Sequence, residues 1–192
     1  MGRAGARWGL LADKVVFVMA PTEGALERHG GIDILVSNAA VKLFFGSMLD
    51  ASEDVWNKFL DVSNASRLKA ERFLSAKCFQ HSGNFQESCR NRGGSIILVS
   101  SIAGFSPFLA LGPYSVSKTA LLGLRKALAP ELGTRNIRTN CLAPGIVQTK
   151  FSSAVIVEGR GHKGENVEEP ERLGVPSDCV GIVSFLCFPD TS

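Results

Sequence analysis

The sequence predicts an α/β fold, a parallel sheet with helices on both faces. Two observations carry that expectation. Short runs rich in Val, Ile and Leu alternate with stretches of helical periodicity. Distinctive residues follow those runs: Asn38-Ala39-Ala40, Ser101 and Pro144-Gly145. They stand at the carboxyl ends of the predicted strands, where open α/β sheets place their sites.

Lys14 to Met19 reads as a first buried strand. Thr22 to His29 predicts a short helix, stopped by Gly30-Gly31. Residues 32–37 form a second strand. Ser52 is an N-cap, with Glu53 and Asp54 in the first turn of a helix whose apolar stripe is Val55, Trp56, Phe59 and Leu60. A further helix is expected from Ala65 to Phe79. Residues 80–92 are polar and irregular and read as loop. A strand at 95–100 leads into Ser101. Pro113 introduces a long helix with a buried stripe of Val116, Ala120, Leu121, Leu124, Ala127 and Leu128. Pro130 lacks an amide hydrogen and clashes with the preceding turn, so the helix is expected to kink or stop there. A strand over 137–142 follows. Residues 152–171, rich in Gly and charge, predict a mobile segment. A helical stripe resumes from Asp178 to Cys187. No internal repeat is evident.

At 192 residues with 45% hydrophobic content, the chain is one domain with enough apolar material for a core. Residues 1–12, with Arg3 and Arg7 and no acid, are read as a flexible N-terminal segment. Charged residues make up 20% and the net charge is +3, with both signs interspersed. That argues against disorder and against a nucleic-acid stripe. Five scattered cysteines, with no secretory signal before them, fit a reduced intracellular protein. Cytoplasm is the expected compartment, with the mitochondrion as the alternative because of the basic N-terminus. Asp190-Thr191-Ser192 is not a peroxisomal address. No apolar run approaches a membrane span. Cys78, His81 and Cys89 match no common zinc spacing, so no metal is expected.

The chemistry lies in Ser101, Tyr114 and Lys118, spaced Ser-x12-Tyr-x3-Lys. Tyr and Lys four apart share a helix face. An ammonium there would lower the pKa of the phenol, and the Ser hydroxyl could hold the same substrate oxygen. Such a set suits reduction of a carbonyl or oxidation of an alcohol beside a hydride carrier. Tyr-x3-Lys alone is also what an ordinary surface helix supplies; the neighbouring motifs tip the balance.

Together Asn38-Ala39-Ala40, Ser101-Ile102-Ala103-Gly104, Tyr114-Ser115-Val116-Ser117-Lys118 and Asn140-Cys141-Leu142-Ala143-Pro144-Gly145 resemble the short-chain dehydrogenase/reductase family. Within it, the chain is most similar to the NADP-dependent carbonyl and retinal reductases. The resemblance implies a Rossmann-like sheet and a reductase of ketones or aldehydes that uses NADP(H). Tyr114 would be the general acid, Lys118 would hold the nicotinamide ribose, and Ser101 would stabilise the developing alkoxide. Gly24, Asn38, Ile146 and Thr149 would complete the cofactor site. Phe105, Phe108, Leu109 and Leu111 would line the substrate side. The expected partners are a small apolar carbonyl or alcohol, and a second copy or a full-length relative.

The chain also departs from that family. Its Gly-rich phosphate loop is reduced to Gly24 in Met19 to Leu26, and Pro21 removes a donor. Only Ala20 to Gly31 separate the first strand from the Asn38 strand, room for one crossover. The second, third and last strands are therefore expected to be missing. Ser63, with Asn64 one place late, aligns with the family's catalytic Asn. A non-catalytic dimerisation partner and an unstable remnant stand as alternatives to an enzyme.

Overall fold

The computed structural model describes residues 16–18, 33–38, 44–79, 93–153 and 172–188. Four strands make one sheet: β1 (Val16–Val18), β2 (Ile34–Ser37), β3 (Gly94–Val99) and β4 (Ile137–Leu142). They lie side by side in chain order and every pairing is parallel. Among the described residues β1 and β4 are the outer strands. Among the described residues this is the expected four-strand sheet, without counterparts of the family's second, third and last strands.

Three helices flank it: α1 (Glu53–Phe79), α2 (Gly112–Gly133) and α3 (Pro176–Cys187). Successive strand residues point to opposite faces, so β2 and β3 feed two cores. Leu35, Ile96 and Leu98 pack with Ala70 of α1, Leu132 of α2 and Ile137. Ile34, Val36 and Ile97 pack on the other face with Cys187, Val183 and Leu186 of α3. Each fully buried Leu or Ile contributes about 1.5–3 kcal/mol by leaving water, and Leu35, Ile96, Ile97 and Leu98 are all fully buried.

The region expected to hold two helices is one continuous α1. No Gly or Pro interrupts residues 53–79. The hydroxyl of Ser66 bonds back to Val62 O at 3.0 Å and lies 3.0 Å from Ser37 Oγ on β2. The hydroxyl that could have competed with the helix thus ties it to the sheet. The buried stripe of α1 is Phe59, Val62, Ser66 and Ala70; Val55 and Trp56 are half-buried and Leu60 is 42% exposed.

Helix α2 runs three residues past Pro130, to Gly133. Its last turn is anchored by Leu132, buried in the core. The face meeting the protein carries Ser117, Leu121, Leu124, Leu128 and Leu132, at helical spacing. Val116, Ala120 and Ala127, expected inside, face solvent. The stripe is rotated because Ser117 and Lys118, polar but buried, occupy the inner face.

On β4, Gly94 N–H to Asn136 C=O and Ser100 N–H to Leu142 C=O set which carbonyls face β3. That of Thr139 is left on the outer edge, where Arg125 Nε donates to it at 3.1 Å. Arg138 closes the end of α3, its Nη1 donating to Leu186 O at 3.1 Å and its Nη2 to Phe188 O at 2.7 Å. The helix expected over 22–29, the loop over 80–92 and residues 154–171 of the expected mobile segment lie outside the described residues.

Candidate active site

The site forms where β2, β3 and β4 end. β3 stops at Val99, and Ser101 caps a single 3-10 turn, Ile102–Gly104, its Oγ accepting from Ala103 N–H at 3.2 Å. Ile102 N–H bonds to Pro144 O at 2.8 Å, which ties this turn to the segment after β4. Tyr114 and Lys118 come from the first two turns of α2. They share one face of the helix, as a spacing of four requires.

The three side chains converge. Phe59 of α1 meets the Tyr114 ring edge-on at 6.4 Å, and Phe151 lies 6.3 Å from it on the other side. Lys118 Nζ stands 5.7 Å from the Tyr114 ring centroid and donates to Val99 O at 2.9 Å. Lys118 is 3% exposed. Burial brings its pKa down to about 8, partly opposed by the nearby Cys141 sulfur. It is therefore still cationic at neutral pH. Burial also raises the Tyr114 phenol above its ordinary value, and the Ser101 hydroxyl beside it pulls the other way. The expectation that the ammonium lowers this pKa is not met: desolvation outweighs it, and the ammonium bonds a main-chain carbonyl.

A cleft of about 560 Å³ opens over these groups, within the usual range for small-ligand sites. It brings together Asn38, Ser101, Tyr114, Lys118, Ile146 and Thr149, every expected site residue the structure describes. Gly24 lies outside the described residues. Asn38 follows β2 and is exposed to the cleft. Thr149 is braced by Ser152, its N–H donating to Ser152 Oγ at 2.9 Å. Ile146 O accepts from Gly174 N–H at 2.9 Å, which pins this strand end to the segment entering α3.

Of the expected apolar substrate wall, Phe108 and Leu111 line the cleft. Phe105 and Leu109 do not; they are 66% and 69% exposed. They sit on the outside of the loop between the 3-10 turn and α2, whose Leu111 is buried at 2%. Phe151, Pro176, Cys179 and Val183 complete the wall. Nothing in their spacing linked them to Tyr114, since α3 reaches the cleft only through the sheet's second face. Ser63 and Asn64 fall inside α1. Cys78 lies in the last turn of that helix, while His81 and Cys89 lie outside the described residues. Among the described residues no group of three or more His, Cys, Asp or Glu could hold a metal ion, and no helix is long and apolar enough to cross a membrane.

An all-parallel α/β sheet with a Ser-Tyr-Lys cleft at its carboxyl ends is of the Rossmann-like class. A family model described as enoyl-(acyl carrier protein) reductase matches residues 17–192. The chain belongs to the short-chain dehydrogenase/reductase family, oxidoreductases that use nicotinamide cofactors. "Dehydrogenase/reductase SDR family member 4" of Homo sapiens is 50% identical over 171 residues, covering 88% of this chain and 57% of the relative. The Bos taurus protein of that name is 49% identical over 169 residues, with the same coverage. "Dehydrogenase/reductase SDR family member 2, mitochondrial" of Homo sapiens is 44% identical over 171 residues, covering 88% of this chain and 56% of the relative. The chain thus spans less than two thirds of the length of these relatives.

Solved structures agree on the fold. A Thermus thermophilus protein, TT0495, superposes with a TM-score of 0.71 at 27% identity, covering 86% of this chain and 66% of that one. A 4-hydroxyisoleucine dehydrogenase complexed with NADH and succinate gives 0.67 at 25% identity, covering 86% and 64%. A candidate 2-deoxy-D-gluconate 3-dehydrogenase from Agrobacterium tumefaciens with bound NADP gives 0.68 at 25% identity, covering 82% and 61%.

Proposed function

We propose that this chain is a carbonyl reductase that uses NADP(H) to reduce bulky apolar ketones or aldehydes. The observation that carries the proposal is the placing of the Ser101 hydroxyl beside the Tyr114 phenol, with the Lys118 ammonium against the same ring, in one apolar-walled cleft. A nicotinamide cofactor supplies the hydride. The chain's own groups do the rest. Ser101 and Tyr114 hold the carbonyl oxygen, and Tyr114 donates the proton as negative charge develops there. Lys118, cationic at neutral pH, stabilises that charge and offers donors to a ribose hydroxyl. Asn38, Ile146 and Thr149 border the nicotinamide end, and Gly24 belongs to the loop proposed for the phosphates. Phe108, Leu111 and Phe151 give the substrate an apolar wall. A nicotinamide cofactor is supported by the solved neighbours, one holding NADP and another NADH, and the choice of NADP(H) follows the sequence resemblance to NADP-dependent reductases.

The direct test is a fluorescence titration of the folded chain with NADPH. Saturable binding at micromolar cofactor supports the proposal. Absence of binding at millimolar NADPH, in a chain that still unfolds cooperatively, removes it.

A second reading has its own observation. Leu60 and Leu68 on α1, two helical turns apart on one face, are 42% and 47% exposed. Val116 on α2, which packs against α1, is 42% exposed, with Ala120 and Ala127 also in solvent. An apolar surface on two packed helices suits a second copy or a full-length relative. A chain that pairs through it while failing to bind NADPH would be a partner rather than an enzyme.

A further inference from the structure

Ser100 and Gly104 stand on either side of Ser101 in the chain; Ser100 borders the cleft and Gly104 lies outside its lining. Both meet Lys118 from behind. Ser100 is 4% exposed, and its hydroxyl donates to the Lys118 main-chain carbonyl at 2.7 Å. Gly104 packs on the same peptide. A Cβ added there would lie 3.0 Å from the Lys118 carbonyl carbon and 3.1 Å from both its oxygen and Ser100 Oγ. A side chain there would push the Lys118 peptide and Ser100 back by a few tenths of an ångström. The next helix residue returns the contact, Thr119 Oγ1 donating to Gly104 O at 2.9 Å. The loop bearing Ser101 is therefore fastened on both sides of that residue to the helical turn bearing Lys118.

We propose that Ser100 and Gly104 form a latch that fixes Ser101 against the Tyr114–Lys118 pair, making Ser100 a positioning residue that acts through the Lys118 carbonyl. The proposal deepens the carbonyl-reductase reading and rests on it for its purpose, though the geometry is testable without turnover. A site of this kind needs its groups held within about half an ångström. One hydroxyl and one missing Cβ at the base of the turn hold them where no substrate or cofactor contact is required.

Tyr114 is the only tyrosine of the chain. Biosynthetic replacement of tyrosine by 3-fluorotyrosine gives a single fluorine resonance, whose titration reads the phenol of residue 114. Lys118, the charged group at the Tyr114 ring, is common to every variant. The hydroxyl of Ser101 holds the phenol's pKa down, so Ser101→Ala sets the scale by raising the midpoint. Ser100→Ala is expected to raise it too, by about half a pH unit, the size of a partly lost hydrogen bond. The double variant should rise no further than Ser101→Ala, because both changes remove one contact. Gly104→Ala, which wedges the latch rather than cutting it, should raise the midpoint in the same direction and stands in if Ser100→Ala does not fold. Cooperative unfolding followed by tryptophan fluorescence confirms that each protein is native. A midpoint unmoved or lowered in Ser100→Ala and Gly104→Ala overturns the latch, and so does a Ser101→Ala protein with no rise. Carbonyl turnover with NADPH, measured on the same proteins, reports on the reductase reading alone.

Discussion

At the residue scale, Tyr114 and Lys118 divide the labour that burial imposes. The phenol's pKa is raised, so Tyr114 is protonated at neutral pH and ready to donate. Tyr114→Phe keeps the ring that packs with Phe59 and Phe151 and removes the hydroxyl. It is expected to lower carbonyl reduction by at least about 100-fold, the low end of what a positioned general acid contributes. NADPH affinity should stay nearly unchanged, and steady-state kinetics with a binding titration separate the two. Lys118 makes a different prediction. Its folded pKa of about 8 lies below the unfolded 10.5. Between those values the unfolded chain binds more protons at this position than the folded one, so stability rises with pH across that window. Chemical denaturation of wild type and Lys118→Met should show wild type gaining on the variant from pH 8 to 10. A difference independent of pH would mean that the ammonium is solvated. These residues were legible in the sequence because a reaction fixes residue types and spacing together. Phe151 and Cys179 were not, because their place at the cleft depends on loop and helix packing that no spacing records.

At the element scale, strands were easier to foresee than helix faces. The runs expected at 32–37, 95–100 and 137–142 are bounded by turn residues and end at the polar marks, and their limits fall within two residues of β2, β3 and β4. Helix α1 was expected as two helices, yet no Gly or Pro interrupts it and Ser66 turns its hydroxyl to Val62 and Ser37. Helix α2 was misphased because an apolar residue was assumed to point inward. Buried Ser117 and Lys118 claim that face for the site, and Val116 is turned out. Pro130 was expected to kink or stop α2; the helix runs on to Gly133, with Leu132 buried beyond the Pro. That continuation has a cost. Pro130→Ala restores an amide donor and is expected to raise stability by about 1–3 kcal/mol, read from the denaturation midpoint. A destabilised variant would show that the ring's fixed backbone angle matters more than the missing donor.

At the scale of the whole molecule, the sheet has one helical face that is thick and one that is thin. α1 and α2 cover the Leu35–Ile96–Leu98 side, while α3 is the only described helix on the other. The thick side ends in apolar surface at Leu60, Leu68 and Val116. A charge placed there should not disturb the core. Val116→Glu is expected to leave the monomer folded and to shift native mass from dimer to monomer. A wild type that is monomeric at high micromolar concentration would end the partner reading. The sheet and the candidate site were legible in the sequence, because crossover lengths and motif positions are local. It did not show which helix surfaces remain open, because that depends on how far each helix is rotated about its axis.

Arg125 gives the molecule a boundary. Its guanidinium is already bonded to the outward carbonyl of Thr139, the group an incoming strand would need midway along β4. A growing fibril, or another molecule zipping on by main-chain bonds, must first evict a cation and leave it without that bond. Propagation from this flank therefore starts with a loss, and the protein resists serving as a seed there by chemistry rather than by bulk.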